Sequence, residues 1–217
     1  MKWTIIDSGK GTATENMAHD YALLSQLSSM TGPTLRFYEW HTPSVTHGYF
    51  MEPASWIQES KLDSAKRPTG GGILFHGHDF TFSVVIPKSF PAYTLNTVEN
   101  YRYVNQLVMN ALNSLGTFDL SLSSSKSPNL TYCMIRPTIG DIMMDGKKLA
   151  GGAQRRTRHG FLHQGSVNLF PIPQSGMEEQ YELFLEMHAQ STFLFSENND
   201  KAREEFKRHL AFSFQRC

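Results

Sequence analysis

Apolar and polar residues alternate in the segment from 80 to 86, which predicts a β-strand there. Alternate side chains of a strand lie on opposite faces of a sheet, so a period of two is the expected pattern. A shorter apolar run at 73–75 precedes this segment, and the turn-forming residues 77–79 separate the two. We therefore predict a β-hairpin over residues 73–86.

Spacings of three and four between apolar residues predict a helix near the start of the chain. Thr12 and Glu15 are three residues apart and form a capping-box pattern, so the helix should begin there and run to about Leu27. Its apolar stripe is predicted to comprise Met17, Tyr21, Leu24 and Leu27.

Further helices and strands are predicted along the rest of the chain. Helical spacing returns at 95–116 and from 176 onward, where a break at 197–200 precedes a last segment at 202–210. The other β-like segments are 3–6, 34–40 and 45–51. Strands and helices that alternate at uneven intervals predict an α/β (α+β) domain with a mixed sheet.

Three consecutive glycines, Gly70, Gly71 and Gly72, precede the predicted hairpin. Glycine loses more backbone entropy on folding than other residues, so a triplet beside strands indicates backbone that a ligand approaches closely. Arg67 and Thr69 stand at its rim and offer a guanidinium and a hydroxyl to a carbonyl or a phosphate. A tight connection between edge strands, without a ligand, is the alternative.

A second small-residue stretch follows a predicted hairpin turn at Asp145-Gly146. Lys147 and Lys148 begin the returning strand, where neighbouring side chains point to opposite faces, so one can enter a pocket while the other is solvated. The small residues that follow repeat the pattern of the triplet: Gly151, Gly152 and Ala153. Two such segments on one chain favour a pocket between them.

The composition restricts the classes of protein to which the chain can belong. Its 217 residues, 40% of them apolar, are enough for one core, and we expect a single domain over 1–217. With 20 basic and 20 acidic residues the formal net charge is zero. The composition therefore shows no excess of positive charge for binding nucleic acid or an anionic membrane. The first residues do not resemble a signal peptide, and no apolar run approaches the roughly 18 residues of a membrane span, so we expect a cytoplasmic protein.

Cysteine and histidine are the remaining candidates for chemistry. Cys133 and Cys217 do not make a disulfide framework, and we expect both to be free thiols. An isolated cysteine is most often a small buried apolar residue, so that interpretation of Cys133 stands beside a nucleophilic one. His76 and His78 are two residues apart, but no cysteine or carboxylate pair completes a metal site, and no metal centre is predicted.

Together these motifs resemble the catalytic domain shared by lipoate-protein ligases, octanoyltransferases and biotin ligases. The similarity rests chiefly on residues 67–72, 75–76, 146–155 and 165–166, with smaller matches at 16–20 and 35–50. The motifs occur in the family's order and span most of the chain. The resemblance implies the biotin/lipoate ligase-like fold, a mixed β-sheet flanked by helices, and the lipoate and octanoate branch of the family.

The resemblance also implies a set of site residues. Cys133 would be the nucleophile, because the octanoyltransferases carry a cysteine at this distance before the lysine that is Lys148 here, with a proline at the place of Pro137. Lys148 would hold the acyl carbonyl, and Lys148 and Arg136 are candidates for the positive charge that favours a thiolate. The residues implied in substrate binding are Arg67, Thr69, Gly70, Gly71, Gly72, His76, Gly151, Gly152, Ala153, His163, Gly165 and Ser166.

Two mechanisms are open on this resemblance. In the first, a Cys133 thiolate takes an octanoyl or lipoyl group from an acyl carrier protein thioester and passes it to the lysine of a lipoyl domain, without a cofactor. The acceptor would belong to a 2-oxoacid dehydrogenase or be the glycine cleavage H protein. In the second, a lipoate-protein ligase uses ATP and Mg²⁺ to form an acyl-adenylate. Many such ligases carry an additional small domain. We expect no room for it before Cys217, and a separate chain that supplies it is the alternative.

Departures from the family pattern open a third interpretation. Met51 stands where the family usually has glutamine, and His163-Gln164 differs from the usual histidine directly before the glycine. A weakened relative that only binds acyl groups or lipoyl domains is therefore an alternative. Asn16 and Asp20 either help to frame the site or are solvated. The polar segment 121–129 is either a surface loop or a lid over the site.

Overall fold

The computed structural model describes residues 1–125, 132–135, 137–171 and 180–217. Within them the helices are α1 (Ala13–Ser25), α2 (Ser55–Glu59), α3 (Thr97–Asn113), α4 (Tyr181–Met187) and α5 (Asp200–Gln215), with a 3₁₀ turn at Pro91–Thr94. The strands are β1 (Thr4–Gly11), β2 (Thr34–Trp40), β3 (Ser44–His47), β4 (Asp63–Lys66), β5 (Ile73–His76), β6 (Phe80–Pro87), β7 (Leu120–Leu122), β8 (Ile142–Met144), β9 (Lys147–Thr157) and β10 (Gly160–Val167).

Two sheets organise these strands. The larger one has the order β1-β2-β6-β10-β9-β8-β7, and only β1 and β2 in it run parallel. In the smaller one, of order β4-β3-β5, β3 is parallel to β4 and antiparallel to β5. A mixed sheet flanked by helices confirms the predicted fold class.

Helix α1 begins where its capping box predicts. The Thr12 hydroxyl accepts a hydrogen bond from the Glu15 backbone N–H (3.2 Å), and the Glu15 carboxylate accepts one from the Thr12 N–H (2.8 Å). These two bonds satisfy donors that the first turn of a helix leaves without a partner.

The buried face of α1 differs from the predicted stripe. Met17 and Leu24 are buried as expected, but Tyr21 is 52% exposed. Asn16 and Asp20 lie on the buried face instead, so the interpretation that they are solvated is wrong. Polar groups can be buried here because partners on the neighbouring strands satisfy them, which the spacing of apolar residues cannot reveal.

The main core lies on the face of the large sheet that carries α3 and α5. Phe80, Phe82, Val84 and Ile86 of β6 all point into it, and so does Phe206 of α5. The opposite face of the same strand packs against α1, where Val85 meets Leu24 and Leu162. Central strands of the sheet are therefore covered on both faces.

The predicted hairpin over residues 73–86 is wrong, because β5 and β6 belong to different sheets. β5 pairs with β3, whereas β6 lies between β2 and β10. Gly77, with φ +125°, donates to the Asp79 carboxylate (3.1 Å) and turns the chain from one sheet to the other. β2 and β10 occupy both edges of β6, which leaves no edge on which β5 could pair with it.

The predicted turn between β8 and β9 is confirmed. Asp145 has φ +51° and Gly146 has φ +75°, which is the conformation of a two-residue hairpin turn. Lys147 is exposed and Lys148 is 4% exposed, so the two side chains lie on opposite faces as predicted.

In the part of the chain that the structure describes, no helix is both long enough and apolar enough to cross a membrane.

The predicted strand 45–51 is shorter than expected and ends at His47, with Met51 in the following loop. Part of the predicted loop or lid at 121–129, and the candidate Arg136, lie outside the described residues.

Candidate active site

A pocket lies where β5, β9 and β10 approach α1 and the segment at Cys133. It is lined by most of the predicted site residues, namely Arg67, His76, Cys133, Lys148, Gly151, Gly152, Ala153, Gly165 and Ser166. Its cavity holds about 40 Å³, well below the roughly 300 Å³ of a typical small-molecule site. The apolar lining includes Met17, Leu74 and Met134, and thioether side chains can rotate to admit an acyl chain.

The Cys133 sulfur is held by two donors from the glycine loop region. The Gly72 backbone N–H donates to it over 3.1 Å, and Nη2 of Arg67 lies 3.8 Å away. The backbone N–H of Cys133 donates to the Ile73 carbonyl (3.0 Å), which ties this segment to β5. A guanidinium and an amide N–H therefore both face the sulfur, where they can stabilise negative charge that develops on it during a reaction.

Arg67 is fixed by the loop that it supports. Its guanidinium donates to the Thr46 hydroxyl (2.9 Å) and to the carbonyls of Gly70 (3.1 Å) and Gly72 (2.8 Å). The side chain is buried, and no carboxylate among the described residues forms an ion pair with it. Its positive charge therefore remains available to the neighbouring sulfur, the role predicted for Lys148 and Arg136.

The middle glycine of the triplet meets a strict steric requirement that the first does not. Gly71 has φ +90°, and a Cβ there would lie 3.1 Å from Nη2 of Arg67 and 3.5 Å from the Cys133 sulfur. A Cβ at Gly70 would meet nothing within 4 Å. A Cβ at Gly48, outside the triplet, would overlap the Gly71 carbonyl, so the loop packs directly against backbone.

Lys148 reaches the pocket from β9 and is held by a carboxylate. Its ammonium lies 2.7 Å from Oδ2 of Asp141 and donates to the backbone carbonyl of Cys133 over 2.8 Å. Asp141 also accepts from the Tyr101 hydroxyl (2.5 Å) and the Thr138 N–H (2.7 Å). Burial and the Asp141 charge raise the pKa of Tyr101 well above its usual range, so the phenol stays a donor.

Gln164, rather than His163, faces the pocket. Its amide oxygen accepts from the Thr69 hydroxyl (2.6 Å) and its amide nitrogen donates to Asp20 (2.7 Å). Asp20 pairs with Arg36 (2.9 Å), which joins α1, β2 and β10 in one buried network. Asp20 is therefore buried behind Gln164, which lines the pocket, and that it helps to frame the site stays a prediction.

The structure does not bring His163 to the pocket. Its side chain lies on the other face of β10, beneath Gly152 and beside Tyr101, with Nδ1 3.0 Å from the Gln154 amide. Its Nε2 has no hydrogen-bond partner among the described residues, and burial lowers the pKa of the ring to about 3. Alternate residues of a strand point to opposite faces, so only one of the pair at 163–164 can line the pocket.

A polar cluster closes one side of the pocket around Asp79, which the sequence marked only as a turn residue. The carboxylate lies 2.8 Å from Nδ1 of His76 and accepts from the hydroxyls of Ser166 (2.7 Å) and Thr81 (3.1 Å). Burial opposes the ionisation of Asp79, but His76 and these donors outweigh it and hold its pKa well below the usual range.

Comparison with known proteins fits this geometry. The family model of the lipoyl protein ligase A/B catalytic domain matches residues 12–191, most of the chain. The chain belongs to this family. Its relatives among curated proteins include the octanoyltransferase LipM of Bacillus cereus, 32% identical over 198 residues, covering 85% of this chain and 70% of that protein. The LipM of Staphylococcus aureus is 28% identical, with 84% and 70% covered.

Solved structures of lipoate-protein ligases share the fold. A lipoate-protein ligase A bound with ATP superposes with a TM-score of 0.77 at 20% identity, covering 99% of this chain and 86% of that one. A T. acidophilum protein with bound lipoic acid gives 0.77 at 21% identity, with the same coverage. At such identities the likeness concerns the fold alone, and it confirms the predicted lipoate ligase-like architecture.

Proposed function

We propose that this chain is a cysteine-dependent octanoyltransferase that acts on lipoyl domains. The observation that carries the proposal is the Cys133 sulfur, which faces the pocket between the Gly72 N–H and the Arg67 guanidinium. The likeness to LipM octanoyltransferases supports octanoyl as the group that is transferred. The proposal places the enzyme in the cytoplasm with its substrates.

In the first half-reaction the Cys133 thiolate attacks the carbonyl carbon of an acyl carrier protein thioester. The bond to the carrier sulfur breaks, and the carrier thiolate leaves and takes up a proton. No ATP, metal ion or other cofactor takes part. Exchange of one thioester for another costs little free energy, so the step needs positioning and charge stabilisation more than an energy source.

In the second half-reaction the lysine amine of a lipoyl domain attacks the octanoyl-Cys133 carbonyl. An amide forms, the Cys133 thiolate is expelled, and the amine loses a proton. In both steps the carbonyl oxygen becomes an oxyanion. Lys148, held at the pocket wall by Asp141, would stabilise this charge together with backbone N–H groups of the glycine segments, by roughly 3–4 kcal/mol.

Mass spectrometry of the intact protein tests the proposal. With octanoyl carrier protein and no acceptor, the protein should gain one octanoyl group that hydroxylamine removes, and peptide mapping should place it on Cys133 rather than Cys217. Cys133→Ala should gain none. Adding the lipoyl domain of a 2-oxoacid dehydrogenase, or the glycine cleavage H protein, should transfer the group to its lysine.

Other results would replace the proposal. If Cys133→Ala still modifies a lipoyl domain, and only with free lipoate, ATP and Mg²⁺, the chain is a lipoate-protein ligase. If neither donor leads to modification while octanoate or a lipoyl domain binds, it is a binding module.

A further inference from the structure

A second concave surface, here called the side groove, lies between α1 and residues 65–68. Its volume is about 440 Å³, which is much larger than that of the pocket. Met17, Ala18 and Tyr21 line it from the helix, because residues three and four apart share one face. Tyr49 and Lys66 line it from the other side.

The side groove adjoins the pocket that holds the candidate nucleophile. Met17 and Arg67 line both the side groove and the pocket, so the two spaces meet at these side chains. Nη2 of Arg67 lies 3.8 Å from the Cys133 sulfur. A chain that follows the side groove inward and passes these two side chains would arrive at the thiol.

Positive charge surrounds the aromatic ring at the mouth of the side groove. The Arg155 guanidinium lies 4.3 Å from the centroid of the Tyr49 ring, and the Lys66 ammonium lies 5.5 Å from it. Neither cation forms an ion pair with a carboxylate among the residues that the structure describes. Tyr49 and Tyr21 remain partly exposed, and Arg155 also donates to the Pro68 carbonyl (3.1 Å). The apolar wall of the groove therefore has Lys66 in its lining and Arg155 beside it, both without a carboxylate partner among the described residues.

We propose that the side groove binds the phosphopantetheine arm of the acyl donor, with Lys66 and Arg155 on its phosphate. The inference rests on the proposed function and adds the site at which the donor enters. Such an arm is a narrow chain with a thioester at one end and a phosphate at the other, which matches a groove with a thiol inside and cations outside. The same arm occurs in carrier proteins and in coenzyme A.

Charge argues against the acceptor as occupant of the side groove. The lysine of a lipoyl domain carries a positive charge in its free form, and two unpaired cations at the mouth repel it.

During the reaction the acyl carbon forms its bond to the Cys133 sulfur while the bond to the pantetheine sulfur breaks. The pantetheine thiolate then takes a proton and leaves along the side groove.

The experiment compares two donors that differ only in one phosphate: octanoyl-pantetheine and octanoyl-4′-phosphopantetheine. The rate of Cys133 acylation is followed by intact mass. In the unmodified protein we expect the phosphate to lower the KM for the donor about fivefold and to leave kcat unchanged. A change of this size corresponds to one or two exposed ion pairs. The Lys66→Ala/Arg155→Ala double variant should lose this advantage and acylate equally with both donors.

A steric pair of variants tests the groove itself. Ala18 and Ala22 are exposed alanines one turn apart on α1, and only Ala18 lines the side groove. Ala18→Trp should slow acylation by phosphopantetheine, coenzyme A and carrier protein donors about tenfold, whereas Ala22→Trp should not, and both should unfold at the same temperature as the unmodified protein. A larger effect on the carrier protein than on coenzyme A identifies the carrier as the donor.

Failure of this inference is distinguishable from failure of the proposed function. If no octanoyl thioester acylates Cys133 of the unmodified protein, the proposed function is wrong. If carrier protein acylates Cys133 but the double variant and Ala18→Trp behave like the unmodified protein, only the side-groove assignment is wrong. Variants that slow only the transfer from preformed octanoyl-Cys133 to a lipoyl domain would assign the side groove to the acceptor and overturn the inference.

Discussion

Nη2 of Arg67 lies 3.8 Å from the sulfur of Cys133, although 66 residues separate the two in the chain. The guanidinium is oriented by the Thr46 hydroxyl and by the carbonyls of Gly70 and Gly72, so it cannot move away without disturbing the glycine loop. Lys148, by contrast, donates to the backbone carbonyl of Cys133. The two cations therefore have different partners at Cys133, the sulfur for Arg67 and the backbone carbonyl for Lys148.

The first prediction concerns the charge at the thiol. Arg67→Met should slow the alkylation of Cys133 by iodoacetamide about tenfold at neutral pH, because the thiolate loses its guanidinium neighbour. The exposed Cys217 serves as an internal reference in the same sample, and Arg208→Met, on the exposed face of α5, as a control variant. An unchanged alkylation rate at Cys133 would show that Arg67 only supports the loop.

The second prediction separates neighbouring lysines. Lys148→Ala should lower the rate of octanoyl transfer by about two to three orders of magnitude, since the oxyanion loses its cation. Lys147→Ala should change it little, because that side chain is exposed on the other face of β9. Equal rates for the two variants, measured on a lipoyl domain, would refute the role given to Lys148.

The third prediction distinguishes two glycines of the triplet. Gly71→Val should abolish acylation of Cys133, because φ is +90° there and the new side chain would press on Arg67 and the sulfur. Gly70→Ala should retain most of the activity, since its Cβ would meet nothing within 4 Å. Circular dichroism establishes that both variants fold. A folded, fully active Gly71→Val protein would contradict this account of the loop.

The fourth prediction concerns the buried network beneath the pocket. Asp20→Ala should lower the free energy of unfolding by about 3–5 kcal/mol, because it leaves the buried Arg36 guanidinium unpaired. Asp7→Ala removes a partner of the surface residue Lys207 instead and should cost less than about 1 kcal/mol. Urea denaturation of the two variants measures the difference. Similar losses would mean that Arg36 finds another partner.

The fifth prediction is a pH dependence of stability. Burial lowers the pKa of His163 to about 3. Burial is also the main cause that lowers the pKa of His78 to about 4 and the pKa of His188 to about 3. Below about pH 6.5 the unfolded chain takes up protons at these rings while the folded protein does not. Stability should therefore be fully present above pH 6.5 and fall as the pH drops from 6.5 towards 4.

Urea denaturation between pH 7.5 and 4.5 checks this dependence. His163→Phe should reduce the pH slope of the unfolding free energy by about one proton, because one ring no longer takes up a proton on unfolding. His159→Gln, at an exposed position, serves as the control. A slope that is the same in His163→Phe and the unmodified protein would show that His163 is charged in the folded state.

Local features of this protein could be predicted from the sequence alone. The capping box at Thr12 and Glu15, strand β2 and the turn at Asp145-Gly146 depend on residues within a few positions of one another. Lys148 could be singled out from Lys147 for the same reason, because alternation along a strand is a local property. The resemblance to the family rests on motifs of this kind.

Partners that are distant in the chain required the tertiary structure. The sequence placed β5 and β6 in one hairpin, but long-range packing gave them different neighbours. Likewise alternation puts His163 and Gln164 on opposite faces, yet only the position of α1, with Asp20 as the bonding partner, decides that Gln164 faces the pocket. The contact of Arg67 with Cys133 has the same origin, because which segments meet depends on how the whole sheet and its helices pack.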